Sequence, residues 1–476
     1  MKSLTKNTIW RTFLCGCVLL LCACQEEVTP QDWPQFKKDN YRSGYVDAAI
    51  DLSRFGKDWT FDTGQEPIPA WYGPAKEDAY ARSGPLPSMR DYDLSYSPVI
   101  VGNSLYYASS ADDAVHCHNA ATGKEKWHFT TGGPIRIAPT YYDGKVYVGS
   151  DDGFVYCLNA RNGHLVWKYS PTPAATQRLL NNGRFISFYP IRTGVMIEDG
   201  IAYFGASLLP WKKSYFCAID AESGEVGKEG TYIKEYETNS MTLEGAMAST
   251  GKLLIQPQGR IAPIFIKKEN GETAGSVAGS GGCFVLVTPE TSVVHGKSSR
   301  YISMEETRLE EKQAQFMSYN NGKEIVVKGD STYVLNDNSL VSYKRKEKKM
   351  NWLRQNFEAH RIIIAGDVLF AGKNDKVEGI SLKNGKTIWE CTVQGTVYAL
   401  SFARNRLYAS TSEGYLYGFG EGGSDARYFP ENVDLPGVIE EKTEAEEKPD
   451  NQSLRTQISA GPYIQPFLGR FCRVAV

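Results

Sequence analysis

Long apolar runs are nearly missing from this chain. The one near the start, Phe13 to Leu21, is well short of the roughly 20 residues a membrane-spanning helix needs. Charge of one sign is missing too. A net charge of −2 gives no general pull toward nucleic acid or anionic lipid. Cysteine is sparse: of ten, Cys15, Cys17, Cys22 and Cys24 crowd the first two dozen positions, and six are left for the rest. That density excludes a disulfide-stapled scaffold, and no two cysteines are adjacent. What the chain has in quantity is glycine (45), tyrosine (28) and 12% aromatics, the composition of a turn-rich β protein.

The first residues read as a targeting segment and are set aside from the fold. Lys2, Lys6 and Arg11 precede the short apolar run, which ends in Leu21-Cys22-Ala23-Cys24. This ending resembles the lipobox of bacterial lipoproteins, which implies cleavage after residue 23 and lipidation of Cys24. Gln25 in place of Asp points to outer-membrane sorting, and Gln25-Glu26-Glu27 is similar to the acidic tag of surface-exported lipoproteins. The expected address is an outer-membrane lipoprotein, on the periplasmic side or at the cell surface. The expected divisions are 1–23 signal, 24–54 anchor and lead-in, 55–422 repeats, and 423–476 charged linker and tail.

Self-similarity organises the rest. Ala120-Ala-Thr-Gly123-Lys-Glu-Lys-Trp127 is repeated as Ala160-Arg-Asn-Gly163-His-Leu-Val-Trp167, and a later copy ends Asn384-Gly385-Lys-Thr-Ile-Trp389. Between these marks lie short alternating runs broken by Asp/Asn-Gly pairs, the pattern of hairpins. A small sheet cannot bury both its faces alone, and stacking sheets around a ring solves this. Trp59, Trp127, Trp167 and Trp389 are expected to dock each blade on the next. Cys117, Cys157 and Cys217 recur at one repeat position and are expected to be buried small hydrophobes.

These segments resemble the PQQ-like β-propeller repeat family over roughly residues 33–422, and Trp33-Pro-Gln-Phe36 with Arg42-Ser-Gly44 resembles the lead-in of its secreted members. The implied fold is all-β: a single propeller of eight four-stranded blades, with seven the alternative. Blades are expected near 97–129, 138–169, 192–229, 245–277, 282–317, 324–352, 360–391 and 397–420. The last lacks an outer strand, which Gly56-Lys-Asp-Trp-Thr-Phe61 is expected to supply from the other end. Past the ring, Gly461-Pro-Tyr-Ile-Gln465 is similar to a strand that opens a fibronectin-like domain in some metallophosphatases.

Chemistry is hard to find. Quinoprotein dehydrogenases, which the family resemblance brings to mind, use a vicinal disulfide and a calcium-ligand set that have no counterpart here, so no cofactor is expected. His116 and His118 share a strand face and could take a metal ion, but no third ligand is visible, and exposed strand positions are the simpler reading. No metal site and no catalytic residue are assigned. Asp112-Asp113 and Asp151-Asp152 recur with the repeat and read as turn residues.

Long loops on a rigid scaffold are the place to look for binding. Residues 62–96, 170–191 and 208–213 are expected on one face. They offer Trp71, Tyr72, Arg82, Arg90, Arg178, Arg184, Phe188, Tyr189, Trp211 and Lys212, to which Arg136 is added. Aromatics with guanidinium groups suit a protein surface or a glycan. The reading is a non-catalytic, monomeric binding or scaffolding module. Its partner would be an envelope protein or glycan and its only membrane contact a lipid, with no nucleic acid. The alternatives are a quinoprotein oxidoreductase and a surface glycan-binding protein. The similarity extends to the lipoprotein propellers of outer-membrane assembly.

Overall fold

The computed structural model describes residues 26–68, 95–172, 177–181, 183–209, 211–258, 261–277, 284–296, 304–309, 314–319, 321–430 and 438–440. The chain divides into residues 1–440 and 441–476, and the second unit lies outside the described residues. So do Cys24, Trp71, Tyr72, Arg82 and Arg90, together with Gly461–Gln465. Among the described residues, no helix is long and apolar enough to cross a membrane.

From Val99 onward, four-stranded antiparallel sets follow one another, each a meander from an inner to an outer strand. The first runs Val99–Val101, Ser104–Ala108, Ala114–Asn119, Glu125–Thr130, and the second Thr140–Tyr142, Lys145–Gly149, Val155–Asn159, Leu165–Tyr169. The third spans residues 196–236, the fourth 248–276, the fifth 285–319 and the sixth 322–355. The seventh begins at Arg361–Ala365 and ends in Thr387–Ala403. This long strand is also the inner strand of the closing set, with Arg406–Thr411, Tyr415–Glu421 and, from the N-terminal side, Phe55–Asp62. The chain is an all-β propeller.

Burial follows position in the set. The two innermost strands, Val99–Val101 and Ser104–Ala108, are buried at every residue, whereas the outer strand Glu125–Thr130 has no fully buried residue, as expected for an edge with one face in water. The core is a series of seams between neighbouring sets. Ile135, Val146 and Leu158 pack on Val115 and Cys117 of the preceding set, and later seams repeat the scheme.

A tryptophan clasp recurs at these seams. The Trp127 indole N–H donates to Ala160 O at 3.1 Å, Trp59 to Ala120 O at 3.1 Å, and Trp167 to Ala221 O at 3.2 Å. Each ring lies on the glycine of the neighbour's turn, so closely that a Cβ on Gly163 would sit 2.6 Å from Trp127. That glycine is also at φ +72°, where side chains are strained. Trp389 docks at the splice of the closing set, donating to Phe55 O at 2.7 Å.

Residues 26–46 cross the opening on the face formed by the turns between first and second strands. Trp33 exchanges backbone hydrogen bonds with Ile100, and Pro34 O accepts from Tyr141 N. Asn40 Nδ2 donates to Ile197 O, and Asn40 O accepts from Ser249 N. Tyr41 O accepts from Val287 N, and Lys37 pairs with the buried Glu324. Tyr45–Val46 lies parallel to Arg361–Ala365, while the Asp32 carboxylate takes the Arg404 guanidinium at 2.6 Å. One short segment therefore touches every set.

The structure corrects two boundaries. No break separates residues 391 and 397, because one strand serves two sets. Residues past 423 do not leave at once as a free linker: Ala426–Tyr428 pairs with residues 389–391 and Val438–Glu440 with residues 352–354.

Candidate functional site

The loops that leave each outer strand, and those joining second to third strands, emerge on the face opposite the lead-in. Over the second and third sets they build a layered structure. At its base is Asp151, in the 150–153 turn and fully buried. Its Oδ2 accepts from Arg136 Nε at 3.0 Å, and its Oδ1 from Arg192 Nε at 2.8 Å. Burial alone would push this carboxyl upward. The guanidiniums of Arg192 and Arg136 override that and hold it below its ordinary value. Backbone bonds from Ser187 N to Asp151 O and from Ile191 N to Ser150 O stitch the next layer to this turn.

That layer is a hairpin, Arg178–Asn181 with Arg184–Ser187. Its turn sequence, Asn182-Gly183, is the pair that tight hairpins favour. Ile186 faces inward and is buried, and Arg184 anchors the outer side by pairing with Asp113. Leu180 and Phe185 are directly opposite each other in the register and are 66% and 71% exposed. In the neighbouring loop of the third set, Trp211 is 62% exposed. Lys212 Nζ lies 5.7 Å from the Phe188 ring centre, and Tyr189 packs edge-on against Tyr215 at 5.5 Å.

The sequence-derived residues thus separate. Trp211, Lys212 and Arg178 are exposed on this face. Phe188 and Tyr189 are half-buried, and Arg184 is committed to Asp113. Arg136 is not a surface residue: at 4% exposure it belongs to the Asp151 cluster and also donates to Ile68 O at 2.6 Å. Asp151 is more than a turn residue for the same reason. Leu180 escapes sequence reasoning because it lies in a stretch that reads as loop. The alternation around Asn182-Gly183 is the signal that would have found it.

His116 and His118 also part company. His118 is buried, with Nδ1 2.8 Å from Gly123 O and its ring against Phe61, so it is not an exposed strand position. Cys117, Cys157 and Cys217 are buried free thiols, with pKa values pushed up by burial.

Residues 56–288 match the PQQ-like family described as outer membrane protein assembly factor BamB. Among curated relatives, the dehydrogenase subunit of alcohol dehydrogenase (quinone) from Gluconobacter oxydans is 30% identical over 174 residues, 33% of this chain and 22% of that protein. Tetrathionate hydrolase from Acidithiobacillus ferrooxidans is 30% identical over 138 residues, 27% of this chain and 25% of that one. The chain therefore spans a quarter or less of the curated relatives' length. Among solved structures, BamB from Moraxella catarrhalis aligns with a TM-score of 0.52 at 13% identity, over 69% of this chain and 97% of that one. Quinohemoprotein alcohol dehydrogenase from Comamonas testosteroni aligns with 0.60 at 13%, over 87% and 83%. At these identities the structures speak to the fold alone.

Proposed function

We propose that this chain, a PQQ-like β-propeller repeat protein, is a non-catalytic binding module of the cell envelope that takes a protein partner on the loop face of its second and third sets. The observation that carries this is the trio Leu180, Phe185 and Trp211, large apolar side chains left in water on a hairpin stitched to the buried Asp151 turn and on the loop beside it. Apolar anchors on a preorganised base are what binding hot spots are made of. The family's description as an assembly factor favours a protein over a glycan.

A quinone does not fit the described donor set beside the inner strands. The buried cations there are committed: Arg136 and Arg192 to Asp151, and Lys37 to Glu324. No adjacent cysteines exist to form the vicinal disulfide. Lipidation at Cys24 would complete the reading. The Glu26 carbonyl accepts from Tyr141 Oη at 2.7 Å on the lead-in face, so an anchor two residues earlier would leave the loop face turned away from the membrane.

The test is co-purification from envelope extracts with the full chain, comparing wild type with a Phe185→Ser, Trp211→Ala double variant. Outer-membrane assembly components should be recovered with wild type and be depleted about tenfold or more with the variant, at an unchanged melting temperature. Equal recovery by both proteins, or a quinone absorbance or bound sugar in the purified wild type, overturns the proposal. Cys24→Ser should move the protein from the membrane to the soluble fraction.

A further inference from the structure

The outer strands of the first set carry a second cluster, remote in function from the loop face. His116 and His128 are direct partners across Ala114–Asn119 and Glu125–Thr130, so both rings stand on one side of the sheet. The register slips between Cys117 and His118, and this bulge brings Glu125 to the same side. Glu125 Oε1 lies 3.3 Å from His116 Nδ1 and 3.0 Å from His128 Nδ1, and all three atoms are within 4.8 Å of one another.

We infer that His116, Glu125 and His128 form a binding site for a zinc-class divalent transition-metal ion. Metal–ligand bonds of 2.0–2.1 Å at tetrahedral angles put neighbouring ligand atoms about 3.3 Å apart, close to both contacts of Glu125. The second argument is the far side of His116. Its Nε2 lies 3.0 Å from Asp112 Oδ2, and its ring is stacked on Tyr107 at 4.8 Å with planes 6° apart. A proton on Nε2, donated to Asp112, leaves the Nδ1 lone pair facing the Glu125 carboxylate. Two acceptors in that position need a cation or a second proton between them. An imidazole whose outer nitrogen is held by a carboxylate is also the usual support of a metal-ligating histidine. His128 is 62% exposed, so the fourth coordination position opens to water. Imidazole and carboxylate donors suit Zn²⁺, Co²⁺ and Ni²⁺.

The measurement is calorimetric titration of the full, untagged chain with ZnCl₂, backed by the visible spectrum with CoCl₂. One equivalent should bind, with the intense bands of low-coordinate cobalt. His128→Ala and Glu125→Gln should each weaken binding at least tenfold. Asp112→Asn keeps all three ligands and should weaken it about 10–100-fold, as loss of a supporting carboxylate does. His164→Ala, an exposed histidine elsewhere, should change nothing. Melting curves without metal confirm that each variant folds. No stoichiometric binding, or binding indifferent to His128→Ala, overturns the inference and leaves a carboxylate shared by two protonated rings.

Discussion

At the scale of single residues, stability concentrates where a small group permits a large one. Gly163 is such a place, because its positive φ and its contact with Trp127 both forbid a side chain. Gly163→Ala should destabilise the protein by ~2–4 kcal/mol, combining the left-handed backbone cost with a clash at a packed ring, as read by urea denaturation. Trp127→Phe leaves a smaller ring and deletes the indole bond to Ala160 O, which still accepts from Tyr106 Oη at 3.2 Å, and should cost about 1–3 kcal/mol for the lost bond and the lost packing. Asp151 is the electrostatic counterpart. Asp151→Asn removes the buried negative charge that two guanidiniums share and should cost ~3–5 kcal/mol. The sign with pH follows from the depressed carboxyl. The stabilisation from Asp151 is complete above the unfolded value near 3.8 and is lost as pH falls through the lower folded value. The gap between wild type and Asp151→Asn should hold steady from pH 7 to about 4 and close below that.

At the scale of elements, the recurrent Gly…Trp marks and Asp/Asn-Gly turns made the hairpins of the early sets and the closing strand Phe55–Asp62 legible in sequence. What escaped shows where such reading stops. Two docking aromatics were missed: Trp352, which donates to Leu382 O at 2.9 Å, and Tyr232, whose ring lies on Gly271 as the tryptophans lie on theirs. Any flat ring can cover a glycine, so the seam tolerates departures from the motif that sequence matching does not. The 387–403 strand hid a boundary because a chain can pass between sheets without a turn. Arg136 reads as a surface cation because its partner Asp151, which it shares with Arg192, is brought to it only by the stacking of sets. The His116–Glu125–His128 cluster stayed hidden for the same kind of reason, since cross-strand register and a bulge decide it rather than spacing. Phe185 is among the loop aromatics the sequence offers, and its cross-strand partner Leu180 is recoverable too, since alternation around Asn-Gly signals a hairpin.

At the scale of the molecule, neighbouring sets share seams instead of owning separate cores, and nearest-neighbour coupling of this kind makes repeat proteins unfold as linked units. The lead-in adds a second, longer-range coupling. Deleting residues 26–46 should lower the calorimetric midpoint by about 5 °C or more, since each lost kcal/mol shifts a large domain by ~2–4 °C or less, and should split one transition into two. A single sharp transition at an unchanged midpoint would show that the seams alone hold the ring.

The path of that lead-in also decides how the protein bears a load. A pull at residue 26 does not peel one strand from one edge. It arrives first at hydrogen bonds to Ile100, Tyr141, Ile197, Ser249 and Val287 and at the Lys37–Glu324 and Asp32–Arg404 pairs, which are spread around the circle and strained side by side. Only tension that outlasts them reaches Phe55–Asp62, held along its length against Tyr415–Glu421. The segment works like a drawstring threaded through the ring: its contacts lie on every set, so a load on it is divided around the circle before it can reach the closing strand.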